Sequence, residues 1–135
     1  MEPDAAIQQY RGIEAVDPVA VAKQRALTEA LWSLLTEHGL KDGTLGRIDC
    51  YFFAPTKSEA VALGAALGWK PDITESNGAL KVRLRSDLVH LTRLAFMELT
   101  DVAMIAAHEN SCVFDGFEVE TGKTSTRSWW KFWQS

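Results

Sequence analysis

The clearest periodic signal in the chain lies at residues 80 to 85, where Leu80, Val82 and Leu84 alternate with Lys81, Arg83 and Arg85. Alternation with period two predicts a strand with one buried and one wet face. A second strand is predicted from Arg47 to Ala54, with Ile48, Cys50 and Phe52 on one side and Asp49, Tyr51 and Phe53 on the other. Pro55 ends it. Trp69 to Glu75 reads as a short strand whose Pro71 places it at a sheet edge, because proline cannot donate to a ladder. Ser76-Asn77-Gly78 supplies the hairpin turn into the alternating strand. A last strand is expected from Cys112 to Val119.

Three other segments carry helical spacing. Asp17-Pro18 is a start signal, with Asp as N-cap and Pro at the first helical position. Leu27, Leu31, Leu34, Leu35 and His38 follow on one side, and Gly39 ends the helix. Lys41-Asp42-Gly43 is a turn. Thr56-Lys57-Ser58-Glu59 reads as a capping box opening a helix through Ala60, Leu63, Gly64 and Leu67, which Gly68 closes. Asp87 is expected to cap a long helix running to about His108. On it, His90, Arg93, Met97, Asp101, Met104 and His108 form one stripe, which suits packing against the N-terminal helix.

The predicted order is one helix followed by β-α-β-β-α-β. The fold class is therefore α+β, and the last six elements match a ferredoxin-like plait with an extra N-terminal helix. Such a plait is an antiparallel sheet of strand order 4-1-3-2 with two helices on one face. Right-handed crossovers leave few other topologies. The chain divides into an N-terminal extension (1–16), a domain with its leading helix (17–120) and an aromatic, basic tail (121–135). At 135 residues, 47% hydrophobic and 24% charged, one domain with a real core is expected.

Helices on one face leave the other open. The polar register puts Lys81, Arg83 and Arg85 there, joined by Asp49, Tyr51 and Phe53 and, from the last strand, Asp115 and Phe117. This mixture suits a docking patch. Two plainer readings stand beside it: a solvated face whose Lys and Arg pair with Asp49 and Asp115, or a face covered by the N-terminal helix or the tail. An RNA-recognition module shares the element order, yet it stacks bases on aromatic residues of its first and third strands. Here the third strand carries no ring, and the net charge of −4 opposes a polyanion. No direct nucleic-acid contact is expected.

Little in the sequence points to chemistry. His38, His90 and His108 are all expected on helices, without metal-ligand spacing. Cys50 and Cys112 sit in apolar runs and read as reduced core thiols, as in the cytoplasm. Gly122-Lys123-Thr124 imitates the end of a phosphate loop, but Phe117 stands where the earlier glycine belongs. Glu98 and Asp101 are three apart on a helix and make no acid–base case alone. Met1 to Gly12 is acidic with no apolar stretch, so no signal peptide is expected, and Leu88 to Ala107 is too interrupted to span a membrane. No catalytic residue, cofactor or metal is implied, and no membrane contact.

At the last strand the sequence meets a known family. Val113-Phe114-Asp115-Gly116-Phe117-Glu118 resembles the Tyr-Asp-Gly-Trp segment that closes the domain of ribonuclease E inhibitory proteins, the "regulator of ribonuclease E activity B" family. Leu35-Thr36-Glu37-His38-Gly39 is similar to the end of that family's leading helix. Arg47 to Phe53 looks like its aromatic first strand, and Ala60 to Trp69 like its first core helix and following turn. The resemblance spans roughly residues 25 to 119. Phe117 stands where the family carries Trp, and Lys123, Arg127 and Lys131 make the tail basic. The resemblance implies a cytoplasmic, bacterial protein that binds ribonuclease E and lowers its RNA-cleaving activity without chemistry of its own. Alternatives from other classes are a small-ligand-sensing domain, for which this plait often dimerises, and an immunity-type protein that neutralises a partner.

The expected partner-binding residues are Tyr51, Phe53, Arg83, Asp115 and Phe117. Trp129, Trp130 and Trp133, with Phe132 among them, form a second group; their apolar area calls for cover by this domain, a second copy or a partner. Trp32 on the first helix is a further half-exposed candidate, and a homodimer is an open expectation.

Overall fold

The computed structural model describes residues 12–121. After a 3₁₀ turn at Ile13–Ala15, helix α1 covers Pro18–Glu37. The Asp17 carboxylate accepts from the Val19 N–H at 3.1 Å, and Pro18 opens the helix as expected. Strand β1 is Thr44–Ala54, longer at its start than the alternation indicated. Helix α2 is Lys57–Leu67. Its Thr56 Oγ1 accepts from the Glu59 N–H at 3.3 Å and donates to Glu59 Oε1 at 3.2 Å, so the carboxylate returns to the hydroxyl. Strands β2 (Pro71–Ser76) and β3 (Ala79–Arg85) form a hairpin on Asn77-Gly78. Both turn residues have positive φ, 52° and 79°, as a two-residue turn of the primed type requires.

The next segment departs from expectation. Asp87 caps nothing; Val89–Leu91 is a short strand, β4, and helix α3 starts later, at Arg93–Glu109. Its N-cap is Thr92, whose hydroxyl accepts from the Ala95 N–H at 3.0 Å. The cause is the extra length of β1: its first residues offer an open edge, and β4 fills it through Thr44↔Leu91 and Gly46↔Val89. His90 therefore stands on a strand, where its Nδ1 meets the Gly43 carbonyl at 2.9 Å, and is no part of a helical stripe. Ser86 marks the break between β3 and β4. Its N–H donates to the Ile48 carbonyl and its Oγ accepts from the Ile48 N–H, both at 2.9 Å, so the ladder on β1 continues across the gap.

The sheet is antiparallel and five-stranded, with β1 at its centre. One edge of β1 pairs with β3 and β4, the other with β5 (Val113–Thr121), and β2 lies outside β3 as the Pro71 edge strand. The order 4-1-3-2 expected for four strands is thus not the order of this sheet, because Val89–Leu91 adds a fifth strand against the start of β1. Ile48, Cys50, Phe52 and Ala54 from β1 and Val82 and Leu84 from β3 join Ala60 and Leu63 of α2 and Phe96 and Ala103 of α3 in one core. Helix α1 lies against α3: Thr28 and Thr100 share a buried 2.7 Å hydroxyl contact, and Arg25 forks onto Asp101 at 2.8 and 2.9 Å. Arg93 of α3 pairs with Glu29 of α1, and the Trp32 ring lies tilted against Phe96 with ring centres 5.5 Å apart.

The Asp115-Gly116 step is a β-bulge. Tyr51 faces Gly116 while Phe52 already faces Phe114, so Asp115 is the extra residue, and Gly116 takes φ 121°, a conformation open to glycine. The bulge changes which side chains turn inward. Phe114 and Phe117, three apart, both enter the core, and Phe117 is only 1% exposed. Its rings lie 5.0 Å from Phe114 and 6.2 Å from Phe96. The expectation that Phe117 stands on the open face is corrected here: strict alternation does not survive the inserted residue.

Replacing Phe117 with Ala is expected to lower stability by about 3–5 kcal/mol, measured by urea unfolding, because a large buried ring is lost and the cavity stays. Phe53→Ala, at a 38% exposed position, should cost less than about 1 kcal/mol.

Candidate functional site: the open sheet face

With α2 and α3 on the core face, the side chains at alternate positions of β1 point the other way. The contacts of the described helices leave this second face uncovered. Across it, β1 places Arg47, Asp49, Tyr51 and Phe53 beside Arg85, Arg83 and Lys81 of β3 on one flank and Glu120, Glu118 and Val113 of β5 on the other. β2 adds Asp72 and Thr74 opposite Arg83 and Lys81.

The middle of the face is a charge ladder. Asp49 is 3% exposed and would be a costly buried anion without partners. Arg85 answers it with a fork, Nε to Oδ1 at 2.8 Å and Nη2 to Oδ2 at 3.1 Å, and reaches Glu120 at 3.2 Å. One guanidinium therefore spans β1 from β3 to β5. The hydrogen bond to Asp49, with the charges of Asp49 and Glu120, holds Arg85 protonated well beyond its ordinary range. In the next row Arg83 pairs with Asp72 at 2.8 Å, and the Lys81 ammonium lies 5.0 Å above the Tyr51 ring in a cation–π contact. Burial, the charges of Glu118 and Asp49 and a hydrogen bond donated to Glu118 push the Tyr51 phenol up to about 12, with Arg83 opposing.

Beyond the ladder the face turns apolar. Phe53 pairs with Val113 across β1 and β5, 38% and 64% exposed, next to the Lys81 stem. At the opposite end Leu45 is 52% exposed.

Of the five expected residues, Tyr51, Phe53 and Arg83 come together on this face. Asp115 sits half-buried in the bulge beside Gly116. Phe117 belongs to the core. The expected pairing of Lys and Arg with Asp49 and Asp115 holds for Arg85 and Asp49, whereas Arg83 turns to Asp72. Sequence reasoning missed Glu118 and Glu120. Treating the Asp-Gly step as a register change would have found them, since they alternate with Phe117 and Val119. Trp129, Trp130 and Trp133 lie outside the described residues.

Other titratable groups are scattered. Cys50 and Cys112 are free and buried; burial, with the charge of Asp49 for the first and Glu59 for the second, pushes both thiols up, opposite to what a nucleophile needs. His38 meets the Leu34 carbonyl at the end of α1, far along the chain from His108 on α3. Among the described residues no group of three or more His, Cys, Asp or Glu converges as a metal site, and no helix is long and apolar enough to cross a membrane.

Arg85→Ala should lower stability by about 2–3 kcal/mol at neutral pH, because Asp49 stays buried without its charged donor; denaturant unfolding measures it. In an alkaline absorbance titration, the difference between the native chain and Tyr51→Phe should show a phenol titrating near 12. The unfolded chain gives up that proton first, near 10, so the Tyr51 contribution to stability is complete below pH 10 and lost as pH rises through 12. The face has to be understood from its own geometry: no protein-family model matches the chain, and no curated protein does.

Proposed function

We propose that this chain is a non-enzymatic, cytoplasmic protein-binding regulator of the ferredoxin-like kind, and that ribonuclease E is the partner it restrains. The observation that carries the binding reading is the open face. It sets an exposed aromatic–aliphatic pair, Phe53 and Val113, beside a fixed array of charge and is covered by no described helix. The plait reading draws support from the neighbours β5, β1, β3 and β2, which follow the plait once β4 is taken as an addition to β1. Ribonuclease E comes from the resemblance of residues 113–118 and of the first strand to its inhibitory proteins.

On this reading Phe53 and Tyr51 are the anchors, since buried rings dominate interface energetics. Lys81, which makes no ion pair among the described residues, and Arg83 supply charge to acidic groups of the partner. Asp115 stands at the rim of the same surface. Phe117 acts only by holding β5 in register. Restraint follows if the docked domain occupies a surface the nuclease needs, so the chain requires no reactive group.

Titrating purified ribonuclease E with this chain should give saturable binding and slower RNA cleavage. Phe53→Ala should weaken binding roughly thirtyfold, equivalent to about 2 kcal/mol at an interface anchor. Arg83→Glu should weaken it further and blunt its salt dependence. Folded variants that bind like the native chain would remove the open face as the site. Absence of binding by the native chain would remove ribonuclease E as the partner.

A further inference from the structure

One side of the sheet ends in an unmet edge. Among the described residues β2 (Pro71–Ser76) pairs only with β3. The two-residue turn makes Ser76↔Ala79 a hydrogen-bonded pair, and alternation makes Thr74↔Lys81 and Asp72↔Arg83 the next two. Ile73 and Glu75 therefore direct both N–H and C=O away from β3, at the outer edge. Pro71 shares that direction and has no N–H to offer. Charged side chains commonly keep such edges apart. Here Asp72 is held by Arg83 at 2.8 Å, and Glu75 is the one acidic side chain of the strand without an ion pair among the described residues.

An apolar helix flank lies beside this edge. α2 carries no charged residue after Glu59, and Val61, Ala62, Ala65 and Ala66 are exposed on it, Val61 to 49%. Polar residues ordinarily fill the outer side of a surface helix. Gly64 fixes where α2 sits: a Cβ there would lie 2.8 Å from Pro71 Cδ and 2.8 Å from the Trp69 carbonyl, so the helix rests directly on the start of β2. Val61 and Ala65, three residues before Gly64 and one after it, form the adjoining flank of the helix. The opposite flank turns toward β5, where the Glu59 carbonyl lies 3.9 Å from Cys112 Sγ. Val61 and Ala65 therefore stand on the β2 side, next to the free backbone groups.

We propose that this side of the domain is the interface for a second copy of the chain, with the two β2 strands antiparallel about a two-fold axis at Thr74. Opposing groups choose the register. Centred on Thr74, Ile73 of one copy exchanges both backbone bonds with Glu75 of the other, in both directions, and Thr74 faces Thr74. Centred on Ile73, the Glu75 carbonyl would meet the proline nitrogen. Centred on Asp72 or Glu75, like charges would face each other. A copy suits the edge better than an isolated strand, because it brings its own α2, whose Val61 flank meets its counterpart above the joined strands. The axis stands normal to the sheet, so both open faces lie on one side of a continuous sheet. This inference does not depend on which partner that face binds.

The test is sedimentation equilibrium of the full chain over a range of concentrations, and a reversible dimer of the 15.0 kDa chain is expected. Glu75→Pro removes an outward N–H and leaves the ladder to β3 intact, while Val61→Lys puts a charge on the helix flank. Each should raise the dimer dissociation constant at least about tenfold in a protein whose circular dichroism is unchanged. Thr74→Cys reads the register. Opposed residues of a non-hydrogen-bonded antiparallel pair have Cα atoms about 4.5 Å apart, within disulfide range, so mild oxidation should link this variant to its copy. Leu94→Cys, at a 64% exposed position on the helix side, should stay unlinked. A chain that is monomeric at every concentration would overturn the proposal. So would a dimer unaffected by both Glu75→Pro and Val61→Lys, or linkage from position 94 and not from position 74.

Discussion

One inserted residue decides how this domain is put together. At Asp115-Gly116 the last strand takes an extra step against β1, and the backbone reaches it only because Gly116 tolerates φ 121°. Without the step, Phe114 and Phe117 would lie on opposite faces. With it, both rings turn inward and complete a run of aromatic contacts from Trp32 through Phe96, Phe117 and Phe114 to Phe52. That run ties α1, α3, β5 and β1 together, and it sends Glu118 and Glu120 to the opposite face. The core and the charge ladder are two consequences of the same bulge.

The ladder depends on that register in turn. Arg85 can bridge Asp49 and Glu120 only because β3, β1 and β5 bring the three to neighbouring positions. A face tied together across three strands has a fixed arrangement of charge, and rigid surfaces lose less entropy when they dock. The same surface ends in Phe53 and Val113, so orientation and apolar burial are offered side by side.

Much of this was legible in the sequence because local chemistry and tertiary packing agree. Asp17-Pro18, Thr56 and Asn77-Gly78 each perform the capping or turn role their residue types predict, although the Glu59 carboxylate meets the Thr56 hydroxyl and not its N–H as a full capping box would have it. The alternation of residues 80–85 describes β3 correctly, and that of residues 48–53 its partner on β1. What escaped had a tertiary cause. Val89–Leu91 reads as the start of a helix by its apolar character and becomes a strand because β1 has an open edge there. Phe117 was placed by alternation, and alternation fails at a bulge. An Asp-Gly step inside a strand is a bulge signal, but the consequence for residues beyond it follows only when the register is traced against β1.

The central claim, that the open face receives ribonuclease E, is tested most directly by photo-cross-linking with the purified enzyme. A photoreactive residue at Phe53 reports on the open face, and one at Leu94, 64% exposed on the helix side, serves as its control. Cross-linking to ribonuclease E from position 53 and not from 94 is the predicted result. Cross-linking from 94 alone, or from neither position while both variants remain folded, would contradict it.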